Sequence, residues 1–529
     1  MERRLSTTTQ SFEKLRTNGC IYVDKTRYIN ELMNLGDQFF LSRPRRFGKS
    51  LFISTLEAFF LGKKDLFRGL DIEKTENAKG EEAWTEFPVV SFYLSGGEFS
   101  SRNGLRDRLN ATLNECIKKY NLTGNYSVEG ETLAVRFYNL ISNLYHKMGK
   151  RQVVVLVDEY DNPLLKADSI EMGTANRQLY KEFFGVLKDQ DQYLKFVFFT
   201  GVTKFSKVSI FSDLNQLKDI SLLDQFSGIC GFTEEEMTST YGPEIHELAL
   251  AQGMSDQECL AELRKMYDGY HFSKNADGVY NPYSLINAFA DKDFNNYWFE
   301  SATPGFLIKK LQESSFTPED FADGVEATVD EIRDYRTDNS NPVPLFYQSG
   351  YLTIDRYNRR FRSLELKFPN VEVKYGFLNS LIPYVFGRRD DDKPSFSART
   401  MVSSLEKGKT DSLHDQLYAL FASAPYMTTD ATKYEEVWRN QIYLVFAVLG
   451  QYVNCEQHTS RGRSDCVIET SDYIYLFEFK VDSNADDALA QIEKMDYAGK
   501  YKSEAREVIK IGADFSSKEG NIDDWKVVE

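Results

Sequence analysis

The run Val153-Val-Val-Leu-Val157, closed by Asp158-Glu159, constrains this chain more than any other stretch. An unbroken aliphatic run does not suit a sheet with one wet face, where apolar and polar positions alternate. It suits a central strand covered on both sides. Further apolar runs stand at 38–41, 89–94 and 196–200, with a weaker one at 217–221, and helical stretches separate them. That alternation predicts an α/β fold in which a parallel sheet carries helices on both faces.

The first run leads into Arg43-Pro-Arg-Arg-Phe-Gly-Lys-Ser50 and then a helix over 49–61, which Gly62 is placed to end. Gly48-Lys49-Ser50 has the form of the end of a Walker A phosphate loop. Gly48 lets backbone approach phosphate, Lys49 reaches the β- and γ-phosphates, and Ser50 ligates Mg²⁺. The helix N-terminus adds its positive end. Arg43 stands where the usual first glycine would be. A tripeptide is a weak signal alone, and a basic solvated turn is the competing reading. Asp158-Glu159 strengthens it: the strand delivers Asp158 to the Mg²⁺ shell, and Glu159 polarises the attacking water. Arg45 and Arg46 lie near the phosphates, and Arg46 joins the nucleotide-binding set. Thr200 and Thr203 follow the next strand, either as sensors of the γ-phosphate or as ordinary strand-end residues. The expected cofactors are ATP and Mg²⁺.

From Gly231 the pattern changes. Thr233 followed by Glu236 is a capping-box start, and helical periodicity dominates to about residue 311. Strand-like pieces at 351–354 and 364–368 point to a helical lid with a winged-helix-like module. The stretch 387–397, GRRDDDKPSFS, reads as a linker or exposed loop. The domains expected are 1–230, a P-loop domain; 231–386, the lid and winged-helix-like region; and 398–529, a C-terminal α/β domain.

In that last part a helix over 434–449 precedes a β-rich section, 465–481, then a helix over 486–501 and a strand at 508–511. Glu478 and Lys480 are two apart on one strand and leave the same face. A hairpin through Thr470-Ser471-Asp472 brings Asp465 beside Glu478. Two neighbouring carboxylates repel unless a cation neutralises them. Mg²⁺ takes such oxygen ligands, and the lysine then orients or activates water. This is the chemistry of metal-dependent phosphodiester cleavage. The competing reading is a salt bridge of Lys480 with Glu478 or Asp465. Ile474, Leu476, Phe477 and Phe479 make the strand apolar on both faces, and charges in such a strand need a reason. Glu435 on the upstream helix and Gln491 on the downstream one can face the site.

Bulk properties narrow the classes. The chain has 529 residues and a net charge of −16, so any nucleic-acid contact requires a local basic patch. From 431 to 529, 12 basic against 19 acidic residues leave a net of −7. The six cysteines form no CxxC pair, which speaks against zinc and fits a reducing cytoplasm. No run approaches the ~18 apolar residues of a membrane span, and no membrane partner is expected.

A longer series of strings completes the picture: Tyr22-Val-Asp-Lys-Thr26, Ser42-Arg-Pro-Arg-Arg-Phe-Gly-Lys-Ser-Leu51, Leu66-Phe-Arg-Gly-Leu70, Asp158-Glu-Tyr-Asp161, Tyr267-Asp-Gly-Tyr270, Tyr280-Asn-Pro282, Ser349-Gly-Tyr-Leu-Thr353, Gly462-Arg-Ser-Asp465, Glu478-Phe-Lys480 and Ala490-Gln-Ile492. From about residue 12 to 501 this series resembles the bacterial AAA-ATPase-like proteins that end in a PD-(D/E)XK nuclease-superfamily domain. In that family an arginine at the position of Arg43 is usual. The resemblance implies ATP binding at Lys49, Ser50 and Asp158, and a nuclease-type site at Asp465, Glu478 and Lys480 with Glu435 as the upstream helix acid.

The leading expectation is therefore an ATP-regulated, metal-dependent nuclease acting on DNA, ahead of RNA. The alternative is a STAND-like signalling switch whose nuclease-type domain is a non-catalytic scaffold. A third is an ATPase acting on protein partners. Whether the protein forms a homo-oligomer is left open by the sequence.

Overall fold

The aliphatic run forms β3 (Val153–Asp158), and every one of its residues is buried. Around it lie β1 (Gln38–Ser42), β2 (Val89–Tyr93), β4 (Leu194–Gly201) and the short β5 (Lys218–Asp219). All pair in parallel, in the order β2-β3-β4-β1-β5. The computed structural model describes residues 3–528 except 205–215, 301–304, 315, 317–319, 322–323, 334–340, 387–396, 423–430 and 458–465. The loop expected at 387–397 thus falls almost wholly outside the described residues.

The described chain divides into two compact units, Met1–Thr303 with Gly324–Val373, and Pro304–Asp323 with Lys374–Glu529. In the first unit, the core beside β2 is aromatic. Phe92 meets Phe137, Phe183 and Phe184 edge-on at 5.4–5.7 Å, and Phe137 stacks on Phe183 at 4.6 Å. Such offset and edge-on geometry follows from the ring quadrupole. The capping box at Thr233 is complete: Thr233 N–H donates to Glu236 Oε2 at 2.9 Å, and Glu236 N–H to Thr233 Oγ1 at 3.2 Å. It starts the helix Glu234–Gln252, which breaks its regular geometry at Tyr241, two residues before Pro243.

The strand-like pieces of the middle region form a three-stranded antiparallel sheet, β6-β8-β7. Its strands are β6 (Val325–Thr328), β7 (Thr353–Asn358) and β8 (Ser363–Lys367). Strand β7 starts at Thr353 rather than 351 because Gly350 first caps the helix Val343–Ser349.

The second unit carries a mixed sheet, β13-β12-β11-β10-β9. It comprises β9 (Asn454–Gln457), β10 (Cys466–Glu469), β11 (Tyr473–Val481), β12 (Glu507–Ser516) and β13 (Asn521–Val528). β11 and β12 run parallel, joined through the helix Ala485–Lys494 and the turn Tyr497–Tyr501, and the other pairs are antiparallel. The helix expected at 434–449 spans Ala431–Leu449.

Candidate functional site

Strand β1 delivers the chain to a tight loop and the helix Lys49–Phe60. Gly48, its N-cap, has φ +93°, a left-handed conformation that suits glycine. A Cβ built there would meet no atom within 4 Å, so the space before the loop stays open to a ligand. Lys49 is buried, and its Nζ donates to the carbonyls of Arg43 at 2.9 Å and Pro44 at 2.8 Å. Burial pushes its pKa down, while Asp158, Asp161 and Glu159 push it back up.

Strand β3 brings Asp158 to the same place. Its carboxylate bonds to the hydroxyls of Ser50 and Thr200, the latter at 3.3 Å. Because β4 lies between β1 and β3, Thr200 stands between the two motif-bearing strands. Burial raises the carboxyl of Asp158, and burial followed by the Asp158 charge raises that of Glu159. Thr203 takes a different role: Asp161 accepts from Val202 N–H, Thr203 N–H and Thr203 Oγ1 at 2.7–3.0 Å, pinning the chain leaving β4.

A cavity of about 370 Å³ opens from Gly48, Lys49, Ser50 and Glu159. Its lining also includes the polar stretch 6–10 and the apolar side chains of Ile21, Val23 and Ile286, with Tyr283. That volume lies within the usual range of small-molecule sites, and a lining that combines charged, hydroxyl and apolar groups suits a nucleotide. Arg46, exposed and at φ +67°, lies over the Tyr283 ring at 4.7 Å. Lys25 also lines the cavity; its Nζ donates to Gly228 O at 2.7 Å and to Glu236 Oε2 at 2.5 Å. The string Tyr22–Thr26 contained Lys25, yet spacing alone gave it no role.

Arg43 does not face this cavity. Its buried guanidinium donates to the carbonyls of Ser42, Ser221 and Phe226 at 2.8–2.9 Å and sits 4.2 Å above the Phe272 ring. Phe47 in turn packs edge-on against Tyr270 and Phe272. The first position of the loop is thus a brace to distant backbone.

In the second unit, Glu478 and Lys480 stand on β11, between β10 and β12. Glu478 is almost wholly buried. Lys480 Nζ donates to Glu478 Oε1 at 3.2 Å and to Gln491 Oε1, from the helix Ala485–Lys494, at 2.6 Å. Asp514 on β12 pairs in register with Lys480 and accepts from Ser483 N–H at 2.9 Å; burial raises its carboxyl. Sequence reasoning passed over Asp514, because its strand was expected to end at 511. The hairpin register pairs Cys466 with Phe477. Asp465 lies outside the described residues, and Glu435 lies on a described helix whose side chain there is not described. Among the described residues no three His, Cys, Asp or Glu side chains converge as a metal site. Nor is any described helix long and apolar enough to cross a membrane.

Comparison with known proteins agrees with this two-part build. Residues 6–211 match the family described as "Predicted AAA-ATPase", and residues 433–525 match the PD-(D/E)XK nuclease superfamily. A protein of Azotobacter chroococcum mcd 1, described as an uncharacterized protein in the vnfD 5′ region, is 35% identical over 527 residues, covering 96% of this chain and 95% of its own. With a P-loop sheet at one end and a mixed nuclease-like sheet at the other, the chain belongs to the AAA-ATPase-like family and carries a PD-(D/E)XK nuclease-superfamily domain at its C-terminal end.

Proposed function

We propose that the chain is an ATP-regulated, metal-dependent nuclease that cleaves phosphodiester bonds of DNA. The observation that carries this reading is the Glu478–Lys480–Gln491 cluster on a central strand. An ion pair placed in such a strand for stability alone gains little over apolar residues of similar volume. A carboxylate and an ammonium held together at a fixed spacing suit phosphodiester chemistry better.

In this reading Glu478, with Asp465 and Glu435, binds the divalent cation. When bound, that cation neutralises phosphate charge and lowers the pKa of a water. Lys480, steered by Gln491, orients the nucleophilic water and balances charge at the phosphate. At the other site Lys49, Ser50, Asp158 and the amides around Gly48 hold the triphosphate and its Mg²⁺, Glu159 takes the proton of the attacking water, and Arg46 stands at the cavity rim. The apolar wall around Tyr283 and Ile286 receives the base. The groups present fit ATP with Mg²⁺: the Lys49 ammonium and the Ser50 hydroxyl line a cavity of about 370 Å³, and the buried Asp158 carboxylate accepts from that hydroxyl.

The test is cleavage of linear, circular and single-stranded DNA with Mg²⁺ or Mn²⁺, with and without ATP, for the wild type beside Asp465→Ala and Lys49→Ala. Metal-dependent cutting that disappears in Asp465→Ala supports the nuclease, and the Lys49→Ala lane shows whether ATP controls it. No cutting under any condition, beside measurable ATP binding, favours a second reading: an ATP-dependent switch that uses its nuclease-type domain to bind partners. The net charge of −7 over 431–529 is the observation on that side.

A further inference from the structure

An acidic chain that handles DNA needs a local cationic surface, and one is built into the hairpin β7–β8. The register pairs Asn358 with Ser363, leaving the four-residue tip Arg359-Arg360-Phe361-Arg362. Between Asp355 and Lys367 five cations face two carboxylates, in a protein whose net charge is −16. Both carboxylates are engaged at the base of the ribbon: Asp355 with Lys367, and Glu365 with Arg356 at 3.3 Å. Among the described residues, Arg359, Arg360 and Arg362 have no carboxylate partner, and all three are exposed. Lys274 adds a further cation at the ribbon's side, 4.4 Å above the Tyr357 ring.

The tip is also shaped. The Asn358 side chain accepts from Arg360 N–H at 3.1 Å and Phe361 N–H at 3.3 Å, so the turn is fixed in advance. Arg362 completes it in the left-handed region, at φ +54°. Phe361 is thereby held out in solvent at 64% exposure, next to the Arg360 guanidinium. Three exposed guanidinium groups without carboxylate partners fall within four residues, and an exposed phenylalanine among them gains nothing from water. Both features find a use against a polyanion with an apolar interior.

We propose that this ribbon tip is a duplex-DNA contact that enters the minor groove, with Arg359, Arg360 and Arg362 in the groove and against its phosphates, and Phe361 as a wedge at a base step. The minor groove of B-DNA is about 6 Å wide and concentrates negative potential, which favours inserted arginine. Apolar side chains beside such arginines unstack and kink the duplex. A-form RNA offers no equivalent: its minor groove is shallow, and its major groove is too deep and narrow for side chains. The proposal rests on the nucleic-acid reading above, but not on cleavage.

Binding is therefore measured without chemistry, on the full chain in EDTA, by fluorescence anisotropy with a 30-base-pair duplex over a salt series. In Arg359→Gln/Arg360→Gln/Arg362→Gln the slope of log affinity against log salt flattens by about 3, one for each lost phosphate contact. Netropsin, which fills the minor groove, displaces the wild type. Phe361→Ala keeps the salt slope and loses the kink read by end-to-end energy transfer. Thermal melting with and without ATP checks that these exposed-residue variants are folded. An unchanged salt slope in the triple variant overturns the proposal, as does tighter binding to single-stranded DNA or RNA than to duplex, or indifference to netropsin. If the duplex is bound through the ribbon and never cut, the nuclease reading falls and the ribbon stands. If cutting survives intact in the triple variant with an unchanged salt slope, the ribbon falls and the nuclease stands.

Discussion

Gly350 backs onto Pro44 so closely that a Cβ on it would come within 2.7 Å of Pro44 Cβ and 2.8 Å of its Cγ. The residue that caps the helix before β7 therefore forms part of the floor under the phosphate loop. Its φ of +91° adds a backbone reason for glycine. Gly350→Ala is expected to lose about 1–2 kcal/mol from the left-handed backbone alone, with further loss from the contact. Because the displaced partner is Pro44, whose carbonyl holds Lys49 Nζ, ATP affinity falls together with the melting temperature. A variant that melts lower yet binds ATP as before would show that the floor does not act on the loop.

Lys49→Ala removes an ammonium that lines the cavity. At an ATP concentration 100-fold above the wild-type Kd, ligand stabilisation is worth about 2.7 kcal/mol. The variant is expected to lose nearly all of it, so its melting curve with ATP and Mg²⁺ should overlay the one without them.

The raised carboxyls of Asp158 and Glu159 give a pH signature. A carboxyl whose folded pKa exceeds its unfolded value favours the folded state while protonated. That contribution is whole below the ordinary carboxylate range and is lost as pH rises through the raised value. Ionising either buried carboxyl therefore costs the folded state stability as pH rises. Asp158→Asn is expected to melt higher than the wild type at pH 7 without ligand, to converge with it near about pH 4, and to lose the shift produced by ATP with Mg²⁺. A variant less stable than wild type at both pH values would refute this account.

Glu478→Gln and Lys480→Ala each remove a group from the central-strand cluster. Nuclease turnover should fall by roughly 10²–10⁴-fold in each, the range typical of lost acid–base or electrostatic groups. Gln491→Ala leaves both charges in place but frees the ammonium it holds at 2.6 Å. A smaller loss is expected there, with an altered pH profile; a loss confined to stability would make Gln491 purely structural.

The aromatic cluster beside β2 gives a fold-level check. Phe92 is wholly buried among three phenylalanines, so Phe92→Ala is expected to cost about 3–5 kcal/mol, measured by denaturant titration of the nucleotide-free protein.

The parallel strands were legible because doubly covered strands are written as unbroken apolar runs, and β3 is the extreme case. Short or edge strands were not. β9 is Asn454-Cys-Glu-Gln457, β13 opens Asn521-Ile-Asp-Asp524, and β6 is only four residues long; none carries enough periodicity to stand out. The capping box at Thr233 was readable because both partners lie three residues apart. The brace made by Arg43 was not, since it bonds to backbone carbonyls of Ser221 and Phe226, which any residue could supply. The closeness of Thr200 to Asp158 depends on β4 lying between β1 and β3, and strand order is a property of the folded sheet. Glu478 and Lys480 were legible as a pair from the two-residue period of a strand. Gln491 was legible only as a residue able to face them.

The two carbonyls that hold Lys49 Nζ also say how the loop meets its ligand. The ammonium is held by Arg43 O and Pro44 O of its own loop. Under the proposed function, binding a triphosphate would be an exchange of oxygen ligands around a cation already fixed in place, with phosphate oxygens replacing peptide ones.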